Sequence, residues 1–143
     1  MVVGFKKGNT MTYYLDSNTL IFVLKGMNRA VADKLNTTPP SEIKIPSIVL
    51  AELLTGVHKS NNSKKNMGSL IGLISPYEII PFDEGASAEY GKMKAELETK
   101  GKIIGPNDLI IAATVLSRGG ILVTNNTREF SRVKGLYIED WSR

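Results

Sequence analysis

A chain of 143 residues with no cysteine and a single histidine can bury one sizeable core, but it can build no disulfide framework, zinc–thiolate site or multi-histidine metal site. Its net charge of +4 and pI near 9.3 favour an anionic partner without identifying one. No apolar run reaches the roughly 18 residues of a membrane span, and the opening residues lack the apolar middle of a signal peptide; the absence of cysteine makes a reducing, cytoplasmic setting the expectation.

Residues 1–10 (MVVGFKKGNT) read as an N-terminal extension or tail, and 11–143 as the folded domain. Tyr13 to Leu15 is a short β-favouring run, and Thr19 to Leu24 continues apolar as a short helix up to Lys25-Gly26. A small helix is expected from Asn28 to Asn36, stopped before Pro39-Pro40, with a second strand at Ile43 to Ile45. Pro46 suits a helix first turn, after which Val49, Leu50, Leu53, Leu54 and Val57 fall on one stripe at helical spacing, with Glu52 off it. A basic stretch from His58 to Asn66 precedes another helix at about Lys65 to Ile74. The lone His58 is expected to be an exposed helix-end residue.

Tyr77 to Pro81 predicts a third strand. Asp83 to Lys100 reads as a charged amphipathic helix with Ala86, Tyr90, Met93 and Leu97 inward, closed by Gly101. Leu109 to Leu116 is apolar almost all round, which predicts a helix buried on more than one side and ended by Gly119-Gly120. Strands follow at Ile121 to Val123 and Leu136 to Ile138, before Glu139-Asp140-Trp141. Strands alternating with helices predict an α/β fold: a central, mainly parallel sheet of four to five strands with helices on both faces.

Four stretches carry oxygen-rich side chains that a core would not require. Asp16 and Asn126 each close a strand, and open parallel sheets bind ligands beyond the carboxyl ends of their strands, where the strand order reverses. Asp108 falls at or just inside a helix start, where free N–H groups and the macrodipole are expected to keep a carboxylate ionised. Glu52 follows strand two and can point back to the same edge. Each acid alone has an ordinary reading: turn residue, solvated glutamate, helix cap. Together they suggest a hard cation, Mg²⁺ or Mn²⁺, and metal-assisted phosphodiester cleavage by an activated water. Asn18 and Thr124 are candidates for orienting the acids, and Arg128 for meeting a phosphate.

Asp16-Ser17-Asn18, Ala51-Glu52-Leu53, Gly105-Pro106-Asn107-Asp108-Leu109-Ile110-Ile111-Ala112 and Val123-Thr124-Asn125-Asn126-Thr127-Arg128-Glu129-Phe130 resemble the motifs of PIN-domain ribonucleases. More narrowly, they resemble those of the VapC toxins of VapBC toxin–antitoxin operons, in order from about Met11 to Trp141. The resemblance implies a three-layer α/β/α domain and a Mg²⁺-dependent endoribonuclease, a homodimer held inactive by a VapB antitoxin; the residues do not reveal which RNA is cut, and tRNA is one candidate. It implies Asp16 and Asp108 as metal ligands and Glu52 as the third acid. The chain departs from the family at the fourth acidic position, where Asn126 stands; either Asn126 serves as a neutral ligand or Glu129 replaces the acid.

Two other readings start from the same residues. Asp16-Ser17-Asn18-Thr19 is similar to the Asp-x-Asp-x-Thr pattern of aspartyl phosphatases, but Asn18 cannot carry the proton that the second carboxylate of that pattern supplies. The missing fourth acid also admits a catalytically degenerate module that only binds RNA or a protein.

Overall fold

The computed structural model describes residues 11–143, so the expectation of an N-terminal extension lies outside the described residues. In chain order the elements are β1 (Tyr13–Leu15), α1 (Ser17–Leu24), α2 (Arg29–Thr37), a 3-10 turn (Pro40–Glu42), β2 (Ile43–Pro46), α3 (Ser47–Lys59) and α4 (Ser63–Ile74). There follow β3 (Glu78–Ile80), α5 (Glu84–Thr99), α6 (Pro106–Arg118), β4 (Ile121–Val123), α7 (Thr127–Phe130) and β5 (Tyr137–Glu139). The five strands form one sheet in the order β3-β2-β1-β4-β5, and every neighbouring pair is parallel.

Helices flank the sheet, and β4 shows it most plainly: Ile121, Leu122 and Val123 are all buried, as continuous apolar runs in parallel sheets are, and Leu15 of β1 is buried beside them. In β2, Ile43 and Ile45 are buried while Lys44 between them reaches Glu78 of β3 at 2.7 Å. Leu20, Val49, Leu70 and Phe130 bring helix side chains into the same core. On α3 the stripe sorts itself by depth: Val49, Leu53 and Val57 are buried, while Leu50 and Leu54 lie half out. At the chain's end Trp141 returns to β1 and meets Tyr13 edge-on, with ring centroids 5.3 Å apart.

Several boundaries differ from the sequence expectation, each for a local reason. Pro46 is the last residue of β2, paired with Ile80 at an extended ψ of 139°, so α3 begins one residue later at Ser47. The basic stretch is largely helical: α4 starts at Ser63, and only Ser60 to Asn62 turn between the helices. Asn66 Nδ2 donates to Ser60 Oγ at 2.9 Å and ties that turn. Helix α6 starts at Pro106, three residues before its apolar run, because proline at the first helical position sacrifices only an N–H that has no helical partner. The short α7 was not anticipated at all; it places Arg128 and Glu129 on one helical turn after β4.

Chain order reverses at β1. From β1 the strands run outward through β2 to β3 on one side, and β4 and β5 occupy the other. The carboxyl ends of β1 and β4 therefore face a crevice that no crossover covers, the usual ligand position in such sheets.

Candidate functional site: an acid cluster at the sheet's switch point

Asp16 follows β1 directly and caps α1. Its backbone is extended (φ −85°, ψ 174°), and its N–H donates to Val123 O of β4 at 3.1 Å, so the residue is sewn into the junction of the two strands. Oδ1 accepts from Thr19 N and Thr19 Oγ1, both at 3.1 Å, while Oδ2 accepts a short bond from Thr124 Oγ1. Thr124 is wholly buried just past β4, and its Oγ1 also accepts from Asn126 N at 3.0 Å. Every oxygen of the Asp16 side chain is thus held by a strand end or a helix cap, in a site where the residue is 6% exposed. That carboxyl is preorganised.

Glu52 reaches the same crevice from α3. Ser17 Oγ donates to its Oε1 in a short bond, and Asn107 Nδ2 donates to its Oε2 at 3.2 Å. Asp108, in the first turn of α6, shares a hydrogen bond with Glu129 of α7. Glu129 Oε1 also accepts from Gly105 N at 3.1 Å, which fastens α7 to the loop that opens α6. A Cβ built on Gly105 would lie 3.7 Å from both Asp108 Oδ2 and Glu129 Oε1, which shows how closely the backbone approaches the pair.

The electrostatics are those of like charges gathered together. Burial and then the Glu129, Asp16 and Glu52 carboxyls push Asp108 up to about 7. Glu129 moves the opposite way, lowered first by its hydrogen bond with Asp108. The upward direction for Asp108 runs against the sequence expectation that a helix start would keep it ionised. The macrodipole is worth about 0.3–1 kcal/mol near a surface, less than burial beside three acids. Burial likewise raises Asp16, with Glu52 adding to the shift and the Thr124 and Thr19 hydrogen bonds opposing it. No cationic side chain is among the groups that move Asp16 or Asp108.

Of the residues singled out from sequence, Asp16, Glu52, Asp108, Glu129 and Thr124 meet in this crevice. Asn126 lies beside it at the cap of α7, and its side chain makes no capping bond. Asn18 and Arg128 are exposed, and His58 is exposed at the end of α3 as expected. Sequence reasoning missed Thr19, Asn107 and the role of Ser17. The Asp16-x-x-Thr19 spacing of a helix cap was the available signal for Thr19; nothing local marks Asn107. As the side chains stand, no group of three or more acidic or histidine residues able to hold a metal ion is formed among the described residues. Asp108 and Glu129 spend oxygens on each other, and Glu52 on Ser17 and Asn107. The donor set nonetheless fits a hard divalent ion: all oxygen and mostly preorganised.

A parallel five-stranded sheet with an acid cluster at its switch point defines the class, and the PIN-domain family model matches residues 13–136: the chain belongs to the PIN-domain family. Among its relatives, the tRNA(fMet)-specific endonuclease VapC of Shigella flexneri is 39% identical over 132 residues, covering 92% of this chain and 99% of that protein. Ribonuclease VapC2 of Rickettsia felis is 39% identical over 134 residues, covering 93% and 100%. The structure is also similar to a chain in DNA-bound VapBC from Salmonella typhimurium, with a TM-score of 0.86 and 40% identity over 92% of this chain and 98% of that one.

Proposed function

We propose that this chain is a Mg²⁺-dependent endoribonuclease, the toxin of a VapBC pair, that cuts tRNA in the cytoplasm. The observation that carries the reading is the cluster of Asp16, Glu52, Asp108 and Glu129 at the switch point, in which burial and neighbouring carboxyls raise Asp16 and Asp108 while Arg132 offsets the charge of Glu129. Identity of 39% across nearly the whole length of a tRNA(fMet)-specific endonuclease supports the substrate class, and likeness to a VapBC complex supports a VapB-like antitoxin as partner. A second copy of the chain is the other partner in this reading, and residues 11–143 form the working domain.

Asp16 and Asp108 hold the ion, and Glu52 is the third acid. Glu129 fills the place of the missing fourth acid, and Asn126 contributes a neutral oxygen beside it. Mn²⁺ suits the same oxygen donors. When bound, the ion neutralises charge on the phosphoryl oxygens and readies a water for in-line attack. The chain's own residues prepare for that. Thr19 and Thr124 fix Asp16, Ser17 and Asn107 steer Glu52, and the proton on Asp108 must leave before its carboxylate can serve as a ligand, as ligand deprotonation generally accompanies metal binding. Arg128, exposed on α7, is placed to meet an RNA phosphate.

The direct test incubates the purified chain with total RNA, with Mg²⁺ or with EDTA, and maps new 5′ ends. Cuts confined to a few tRNAs, initiator tRNA first, and present only with Mg²⁺ are expected; cuts that persist in EDTA refute the metal reading. Comparison of Glu129→Ala with Asn126→Ala assigns the fourth position, with the larger loss of rate expected for Glu129→Ala. The alternative of a binding-only module draws on Asn126 at the acidic position, and RNA bound but left uncut under all metals would establish it.

A further inference from the structure

Between α1, α3 and α4 runs an open groove of about 410 Å³ that shares Glu52 with the acid cluster. Leu53 and Val57, 5% and 7% exposed, form its floor together with Leu24. Lys25 and Lys65 line it from opposite sides, at the end of α1 and in the first turn of α4. Both lysines are exposed, and neither forms an ion pair among the described residues.

We propose that this groove seats an unpaired nucleotide of the RNA substrate, its base on the aliphatic floor and its flanking phosphates on Lys25 and Lys65, with the scissile phosphodiester thereby brought to Glu52. The inference rests on the ribonuclease reading and extends it to how the strand is held. An acid cluster repels a phosphodiester backbone, so the strand needs cations beside the site; two free ones flank a groove that ends at a cluster acid. The volume lies within the range of small-ligand sites, which is about 300–1,000 Å³. Sequence-specific RNA recognition favours unstacked nucleotides with an exposed flat face, which an apolar floor between two cations complements. A regular duplex offers no such face.

Two variants separate charge from space. The double variant Lys25→Gln/Lys65→Gln removes both cations from exposed positions. Gly56→Leu fills the groove from α3, where a Cβ at Gly56 meets nothing within 4 Å and leucine favours the helix more than glycine does. Binding of a labelled single-stranded RNA oligonucleotide is measured in EDTA across a salt series, and KM and kcat are measured on tRNA with Mg²⁺. The lysine variant should raise Kd by roughly tenfold at low salt and flatten the slope of log Kd against log salt by about 1.4, two single-strand phosphate contacts. Gly56→Leu should weaken binding with the slope retained, and both should raise KM more than they lower kcat. A wild-type chain that cuts RNA beside variants with unchanged Kd, slope and KM overturns this inference and leaves the nuclease reading standing. Variants that keep RNA binding but lose a protein partner also overturn it, and assign the groove to that partner. A wild-type chain that neither binds nor cuts RNA defeats both.

Discussion

At the scale of single residues, the site gathers carboxyls whose burial and mutual repulsion raise Asp16 and Asp108. Asp108 is pushed up to about 7 from an ordinary 3.8, so between those pH values the folded chain holds a proton that the unfolded chain has released. Stability without metal must therefore fall as pH rises through that window, and the upward shift of Asp16 acts with the same sign. The acids that are held low, such as Glu78 beside Lys44, act in the opposite sense, which is why a variant rather than the wild type alone isolates the effect. Asp108→Asn removes the penalty at almost unchanged shape. In EDTA its melting temperature should exceed that of the wild type by a few degrees at pH 8, and the gap should close by pH 4. A gap independent of pH would show that Asp108 ionises freely in the fold. Each acid alone reads as an ordinary turn, helix or cap residue, and only their order within motifs that resemble one family made the set legible in the sequence. Their protonation was not, since it depends on burial and on neighbours brought from four separate elements.

At the scale of elements, the site depends on how closely β1 and β4 approach. Asp16 N–H reaches Val123 O, Thr19 Oγ1 reaches the same carbonyl at 3.2 Å, and Thr124 Oγ1 closes the link from the other strand. Just upstream, Gly119 ends α6 in a left-handed conformation (φ 74°), and Gly120 then enters β4 against Tyr14. A Cβ at Gly120 would lie 2.3 Å from Tyr14 Cε1 and 2.9 Å from Thr12 O, a clash with a buried ring and with backbone. Gly120→Ala should cost about 1–3 kcal/mol, the usual range for overpacking. Gly56→Ala, with nothing in the way, should gain several tenths of a kcal/mol from helix propensity. Chemical denaturation of the pair checks this, and equal stabilities would contradict the packing described. The sequence showed the double glycine as a stop, Tyr13 to Leu15 as a short β-favouring run and Ile121 to Val123 as a strand. It did not show the closeness of Gly120 to Tyr14, because sheet register is set by partners more than a hundred residues apart. Helix α7 escaped for a related reason: it has no apolar repeat of its own, and the Glu129 bond to Gly105 N fastens it to the loop that opens α6.

At the scale of the molecule, an all-parallel sheet whose strand order turns at β1 converts four unremarkable motifs into one site. Asp16 comes from β1's end, Glu52 from α3, Asp108 from α6 and Glu129 from α7, and the core that holds those elements in place is the buried interior of β1, β2 and β4. The alternation of strands and helices made the fold class readable, and the order of the motifs made the family readable. What no sequence pattern conveyed was the short helix that carries Glu129 just after Asn126, and the groove beside Glu52, which turns on how α1, α3 and α4 diverge. The proposal that the cluster holds a cation and cleaves RNA meets its sharpest test in Asp16→Asn, which keeps the side chain's shape and its Oδ1 acceptor but deletes the charge. With folding verified by a cooperative thermal transition and an unaltered circular-dichroism spectrum in EDTA, its rate of tRNA cleavage at saturating Mg²⁺ should fall on the order of a thousandfold. A rate within a few fold of the wild type would contradict the assignment of this crevice as the catalytic site.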